Sequence, residues 1–338
     1  MNSWRLSKLL NRFSRHCNGH SRRIRLWVVS AGALALGLAS CASFEHLTRV
    51  SNTFPQAKEC GKCHIDIYQE WTTSDHAHAY TNPHFRAATD DYAFGECLNC
   101  HAPEPVLTAH TPAVRQAERE EAVTCVACHL DQGELCGPLE PTGKVQPHPI
   151  GVRPEVYGDA GICGRCHQGT WEEWAAVVQE KRTCQQCHMP EITRKMTQAS
   201  GGFSNLIVAM EHETAQRRHV FAIPTADSTG ELIELEVRRV ETGVEVRLYN
   251  RLPHSLPTGD YGFRVLVLEI TALDGQGGES ALAQMELAPE TKTAIPAQGT
   301  WNHSAAVPEG SRSLRVRLRR LSYDDQTVLN LLDRTVEL

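Results

Sequence analysis

The sequence predicts an α+β protein with its two kinds of structure segregated. Short helices and loops should occupy residues 57–222, and an all-β immunoglobulin-like sandwich residues 223–338. Three observations predict this. The cysteines crowd into the first part of the chain and end at Cys187. Beyond residue 223, short apolar runs alternate with polar residues at a period of two and are separated by turn residues. Ahead of both, residues 1–41 read as an export leader and 42–56 as a linker.

The leader reads basic, then apolar, then small. Its apolar run, Leu26 to Ser40, is fifteen residues long. That suits a signal peptide better than a bilayer span. The run ends in Leu38-Ala39-Ser40-Cys41, which resembles the lipobox of bacterial lipoproteins. The resemblance implies that Cys41 is lipidated and becomes the N-terminus. An ordinary cleaved signal or a short uncleaved anchor is the alternative. Each reading places the rest of the chain outside the cytoplasm, in the periplasm or at the cell surface.

Ten further cysteines fall in five pairs, each followed at once by histidine. They are Cys60-Cys63-His64, Cys97-Cys100-His101, Cys125-Cys128-His129, Cys163-Cys166-His167 and Cys184-Cys187-His188. Two thiols three residues apart can reach the two vinyl groups on one porphyrin edge and form thioethers. The adjacent histidine then lies under the ring and ligates iron. Zinc sites, redox dithiols and disulfides also use paired cysteines, but none needs a histidine at the next position. With 17 histidines in 338 residues, five out of five by chance has odds of about one in three million. The motifs therefore predict five covalently bound haem c groups. Cys136 is left over and reads as a small buried residue.

All five motifs lie between Cys60 and His188, about 26 residues per haem. So short a chain cannot wrap each group separately. The haems must pack together as the core of this domain, and close packing makes an electron wire.

A second axial position remains on each iron, and the choice of ligand separates electron transfer from small-molecule chemistry. Ten non-motif histidines follow the leader, at 46, 76, 78, 84, 110, 148, 212, 219, 254 and 303. Residues 57–222 resemble the multihaem cytochromes related to the tetrahaem cytochrome that accepts electrons from hydroxylamine oxidoreductase. The matching stretches are Cys60-Gly-Lys-Cys-His64 with Trp71-Thr-Thr-Ser74-Asp-His76, then Cys97-Leu-Asn-Cys-His-Ala-Pro103. Val123-Thr-Cys-Val-Ala-Cys-His129 with His148-Pro149, Cys184-Gln-Gln-Cys-His-Met-Pro190 and Arg218-His219-Val-Phe221 follow. The resemblance implies distal ligation by His76, His148 and His219, with His78 competing with His76. His254, in His254-Ser-Leu-Pro-Thr-Gly259, resembles a Gly-His-x-x-Pro-Thr-Gly segment of such cytochromes, although Pro253 stands in the place of the glycine. It is the fourth implied ligand. His84, His110 and His212 are further candidates.

In the C-terminal part, Leu232–Val240 and Val244–Tyr249 read as strands joined by a Glu-Thr-Gly turn. Phe263–Thr271 suits a central strand, Leu273–Gly278 a turn, and Leu314, Val316 and Leu318 mark another half-buried strand. Asp260 and Asp274 read as turn residues, and the arginine row at 315, 317, 319 and 320 as a solvated strand face.

Residues 1–40 carry seven basic residues and no acid, leaving 27 basic against 40 acidic residues and a net charge of −13. Haem propionates add to that field, which disfavours nucleic acid and suits a basic docking surface. The partner expected is a redox protein, such as another multihaem cytochrome or a membrane quinol-linked complex, with the lipid anchor as the membrane contact. Electron transfer is the favoured function. An oxidoreductase acting on a small nitrogen or sulfur compound at one open haem is the alternative.

Overall fold

The structure is a computed structural model that describes residues 55–109, 111–142, 148–198, 204–225, 232–259, 264–321 and 328–338. The leader with Cys41, together with His110 and Asp260, lies outside the described residues. The body considered below belongs to one compact unit, whereas His148 and Pro149 fall in another. No helix among the described residues is long and apolar enough to cross a membrane.

The protein is mixed α+β, with a helical N-terminal region and a β-rich C-terminal one. The helices are short because the motifs punctuate them. Helices Ala57–Cys60, Gly95–His101, Cys125–His129, Gly161–Gly164 and Cys184–His188 each contain at least one motif cysteine. Two longer helices start immediately after a motif. His64 is the N-cap of Ile65–Thr72, and His167 that of Gln168–Ala176. Helices this short are unstable alone, and here tertiary packing must hold them. The polypeptide supplies little of it: among the described residues the apolar cluster of this region is Tyr80, Leu98, Ala102 and Ala122.

Two small sheets brace the loops. Strands β1 (Leu130–Asp131), β2 (Glu134–Gly137) and β3 (Ile150–Val152) form one, and β4 (Glu191–Arg194) pairs with β5 (Thr214–Arg217) in the other. The fully buried Arg115 pins the loop between the second and third motifs. It donates to the carbonyls of Pro103, Ala117, Glu118 and Ala122.

The β-rich region has two antiparallel sheets. Strands β6 (Ile233–Val240), β7 (Gly243–Asn250) and β10 (Thr300–Ala305) form the first, in the order β10-β7-β6. Strands β8 (Leu266–Asp274), β9 (Glu279–Leu287), β11 (Ser311–Leu321) and β12 (Val328–Glu337) form the second, in the order β12-β11-β8-β9. Both sheets feed one core. Val244, Val246 and Leu248 of β7 meet Leu268 and Ile270 of β8 and Leu314, Val316 and Leu318 of β11. Period-two alternation on half-buried strands explains these contacts.

The expected strand at 263–271 begins three residues later and runs on to Asp274, into the segment read as a turn. Asp274 still makes the turn, accepting from the N–H groups of Gln276 and Gly278. The arginine row is paired across strands rather than simply solvated. Arg315 binds Asp333, and Arg317 and Arg319 both bind Glu269.

Candidate functional site

Four of the five motif histidines are oriented by the backbone around them. The Nδ1–H of His64 donates to Met196 O at 3.0 Å, that of His101 to Ala79 O at 2.6 Å, that of His129 to Cys136 O at 2.6 Å and that of His188 to Ala222 O at 2.9 Å. Each such bond fixes the tautomer and leaves Nε2 free to bind a metal. Tyr157 adds to the third site. Its ring stacks on His129 at 5.3 Å, and its hydroxyl donates to Cys128 O and Cys136 O.

Three of these rings face a second imidazole. His76 lies 6.2 Å from His167, His219 lies 6.1 Å from His129, and His254 lies 6.5 Å from His188, centroid to centroid. Two imidazoles on opposite sides of one metal, each nitrogen about 2 Å from it, have centroids about 6.3 Å apart. All three pairs therefore have room for one metal atom. Burial lowers the pKa of every ring involved, and takes His76, His167 and His219 to about 4. These imidazoles are neutral at ordinary pH, which is the ligating form. His219 and His254 also keep Nδ1 on a carbonyl, of Arg217 at 3.1 Å and of Ser255 at 2.9 Å. Phe221 lies between two pairs, edge-on to His76 at 4.3 Å and to His219 at 6.0 Å.

The other candidates fare differently. His78 and His84 are exposed, and His78 Nε2 bonds to Thr72 O instead. His212 is exposed as well. His148, in the separate unit, is not placed relative to the motif helices, and His110 lies outside the described residues. The ring against His101 is Phe85, stacked at 3.7 Å and 3°.

The residues present fit haem better than a metal bound by protein alone. Among the described residues, no three of His, Cys, Asp or Glu converge as a metal site. Haem needs only two protein ligands, because the porphyrin supplies the other four. Beside His167, Trp171 Nε1 and Arg165 Nε are buried donors without an acceptor in the polypeptide among the described residues. Haem propionates are acceptors of that kind.

The motifs also touch one another. The thiols of Cys60 and Cys125 interact, as do those of Cys100 and Cys166 and those of Cys163 and Cys184. Cys128 of the third motif acts electrostatically on Cys163 and Cys166 of the fourth. Contact thus joins the first motif to the third, and the fourth to both the second and the fifth, with the third within electrostatic range of the fourth. Cys97 alone among the ten is exposed. Cys136 is buried, and it is its carbonyl rather than its thiol that serves the third site.

Sequence reasoning missed the residues that hold the distal segments. Glu70 is buried and bonds Arg194 through both oxygens at 2.9 Å, Arg218 at 2.8 Å and the backbone N–H of His219 at 2.9 Å. Glu173 accepts from the N–H of Ser255 and the hydroxyl of Thr258, both at 2.7 Å.

Comparison with known proteins agrees with this chemistry. Residues 59–130 match the family described as cytochrome c554 and c-prime. A solved structure, a penta-heme cytochrome c552 from Thermochromatium tepidum, superposes with a TM-score of 0.58 at 18% sequence identity, over 86% of this chain and 100% of that one. No curated protein matches the chain in sequence. Together the motifs, the family match and the shared fold support a multihaem c-type cytochrome with covalently bound haem c.

Proposed function

We propose that this chain is an exported electron carrier that binds five haem c groups, most of them between two histidines. The observation that carries the reading is the set of three facing imidazole pairs, His76–His167, His129–His219 and His188–His254, each with the separation of two rings on one metal. Haem iron supplies one-electron ferric–ferrous chemistry when bound. The chain's own residues do the rest. Backbone carbonyls hold the tautomers, burial keeps the imidazoles neutral, and the closeness of the motifs sets the haems near one another.

In this reading the haem-binding domain spans 57–222. The β-rich domain, 223–338, is an immunoglobulin-like sandwich of three and four strands that contributes His254. His148 is a distal ligand for one of the two remaining sites. The leader ends at a lipidated Cys41, which tethers the protein at the periplasmic or cell surface. The net charge of −13 beyond residue 40 favours a partner with a basic face, such as another multihaem cytochrome or a quinol-linked complex. Kinship with the hydroxylamine-linked tetrahaem cytochrome rests on the motif resemblance and on the match at 59–130.

The test is the ferric spin state of the purified protein, with carbon monoxide binding after reduction. A carrier should be low-spin at the three paired sites and bind no carbon monoxide there. High-spin iron at those sites would overturn it. The alternative is an oxidoreductase with one open haem at a site outside the three pairs. A high-spin fraction of one haem in five that binds carbon monoxide after reduction would support it.

A further inference from the structure

Two stretches of the chain carry one pattern. Cys60-Gly61-Lys62-Cys63-His64 is followed by Tyr68 and Glu70-Trp71, and Cys163-Gly164-Arg165-Cys166-His167 by Trp171 and Glu173-Trp174, at identical spacing. Each is then followed by a Thr-Cys-x-x-Cys-His motif, beginning at Thr124 in one case and Thr183 in the other. The three-dimensional contacts repeat as well. A Cβ on Gly61 would lie 2.6 Å from Tyr68 Cγ, and one on Gly164 would lie 2.6 Å from Trp171 Cγ. In both copies only glycine lets the aromatic ring sit on the motif. Trp71 Nε1 donates to Val123 O at 3.0 Å, and Trp174 Nε1 to Arg182 O at 2.8 Å. Each acceptor stands immediately before the threonine of the second motif. The leading thiols meet in both copies, Cys60 with Cys125 and Cys163 with Cys184.

The glutamates complete the correspondence. Glu70 accepts from the backbone N–H of His219, whose ring faces His129 of the second motif in its copy. Glu173 accepts from the backbone N–H of Ser255, next to His254, whose ring faces His188 of the second motif in its own copy. The copies differ in what lies between tryptophan and acceptor. The partners are 52 residues apart in the first, with the second motif in between, and 8 apart in the other.

We propose that the chain contains a duplicated two-haem unit, and that Glu70 and Glu173 are its equivalent positioning residues. Each holds the main-chain segment that presents the distal histidine, His219 or His254, to the second haem of its unit. The glutamate stands on the helix that the first proximal histidine begins, so one rigid element sets both the first haem's proximal ligand and the second haem's distal one. A carboxylate suits the task because charge-assisted bonds to N–H groups are short and strong. The inference rests on the proposed bis-histidine ligation.

Glu173 gives the cleaner test. Its direct donors are Ser255 N–H and the Thr258 hydroxyl, whereas removing Glu70 strands the buried Arg194. The experiment compares full-length ferric holoprotein by electron paramagnetic resonance and redox titration, with carbon monoxide binding after reduction, for wild type, H254A, E173A, E173Q and the double variant H254A/E173A. H254A should convert one haem in five to a high-spin, carbon monoxide-binding form. E173A should move the low-spin signal and the potential of that same haem. E173Q keeps an acceptor oxygen and should restore the wild-type spectrum, and E173A should add nothing to H254A. If E173A does not accumulate, E173D withdraws the carboxylate by one methylene and should shift the same signal. Unchanged E173A (or E173D) spectra and potentials beside an altered H254A would overturn the positioning role and leave the ligand reading intact. An unchanged H254A would overturn both.

Discussion

His254, on the link between β7 and β8, holds its ring 6.5 Å from that of His188 in the last motif. A residue of the β-rich region thus faces a motif histidine of the helical one. The link is stiffened by Asn250, which is fully buried and donates through Nδ2 to the carbonyls of His254, Ile295 and Pro296 at 2.9, 3.1 and 3.0 Å. Replacing Asn250 by alanine takes the side-chain donor from His254 O and the acceptor from the Leu252 N–H, whereas Ile295 O and Pro296 O keep the N–H groups of Leu256 and Gly299; a buried group left unsatisfied costs about 1–3 kcal/mol. We expect Asn250→Ala to lower the melting temperature and to raise the high-spin fraction at the fifth haem. A melting curve and a ferric spectrum check this, and a destabilised protein with an unaltered spectrum would show that Asn250 serves the β-rich region alone.

The Glu70 carboxylate predicts a pH dependence. Burial raises its pKa, but bonds from Arg194, the His219 N–H and Arg218 outweigh burial, and the net shift is downward. A group with its folded pKa below the unfolded value stabilises the fold above the unfolded pKa, about 4.3 for glutamate, and loses that stabilisation as pH falls through the folded value. Glu70→Gln should therefore cost stability at pH 7, on the order of 3–5 kcal/mol for breaking a buried pair. The gap to wild type should narrow below about pH 4. Unfolding measured from pH 7 to pH 2 tests both halves, and a gap independent of pH would exclude the charged pair as its source.

Much of this was legible in the sequence, and the limits have physical causes. The five attachment motifs are local, so spacing alone reveals them. His76, His219 and His254 came from short flanking patterns, and the structure sets each opposite a motif histidine. Which proximal ring each one faces was not readable, because the pairing crosses up to 91 residues, from His76 to His167. Strands β7 and β11 were legible because they alternate cleanly, with Val246 and Leu318 pointing into the core. Strand β9, Glu-Ser-Ala-Leu-Ala-Gln-Met-Glu-Leu, was not, since alanine, glutamate and leucine favour helix intrinsically and only its place beside β8 makes it a strand. Glu70 carries no signal in the sequence, because its partners Arg194 and Arg218 lie more than 120 residues away along the chain.

Arg115 carries a prediction about maturation. Its side chain is 1% exposed and serves four carbonyls around a turn whose residues Glu118 and Ala122 have φ of 53° and 50°. Non-glycine residues in that region are strained and need outside support. Arg115→Met keeps the volume and deletes every bond. The turn should open, carrying the Ala122–Thr124 approach to the third motif with it. Haem-stained protein in cell extracts should drop several-fold, with the loss concentrated at Cys125 and Cys128. Full yield with five haems by mass would show that the turn holds itself.

The two regions should differ in their need for haem. The β-rich region buries sixteen apolar residues in one cluster, including Leu268, Ile270, Leu314, Val316 and Leu318, each fully inaccessible. The helical region has a cluster of four. At about 1.5–3 kcal/mol per buried large aliphatic side chain, the first core is worth several times the second, whereas each ordered residue costs a similar entropy in both regions. Haem and its thioethers must supply the difference in the helical region. With serine at all ten motif cysteines, limited proteolysis should therefore cut throughout residues 55–222 and spare a fragment close to 232–338. That fragment should keep a β-type circular dichroism spectrum and a cooperative melt. A haem-free chain degraded end to end would mean that the β-rich region depends on its contacts through Glu173 and His254, and one protected end to end would mean that the helical region folds on contacts such as Glu70–Arg194 and Arg115 alone.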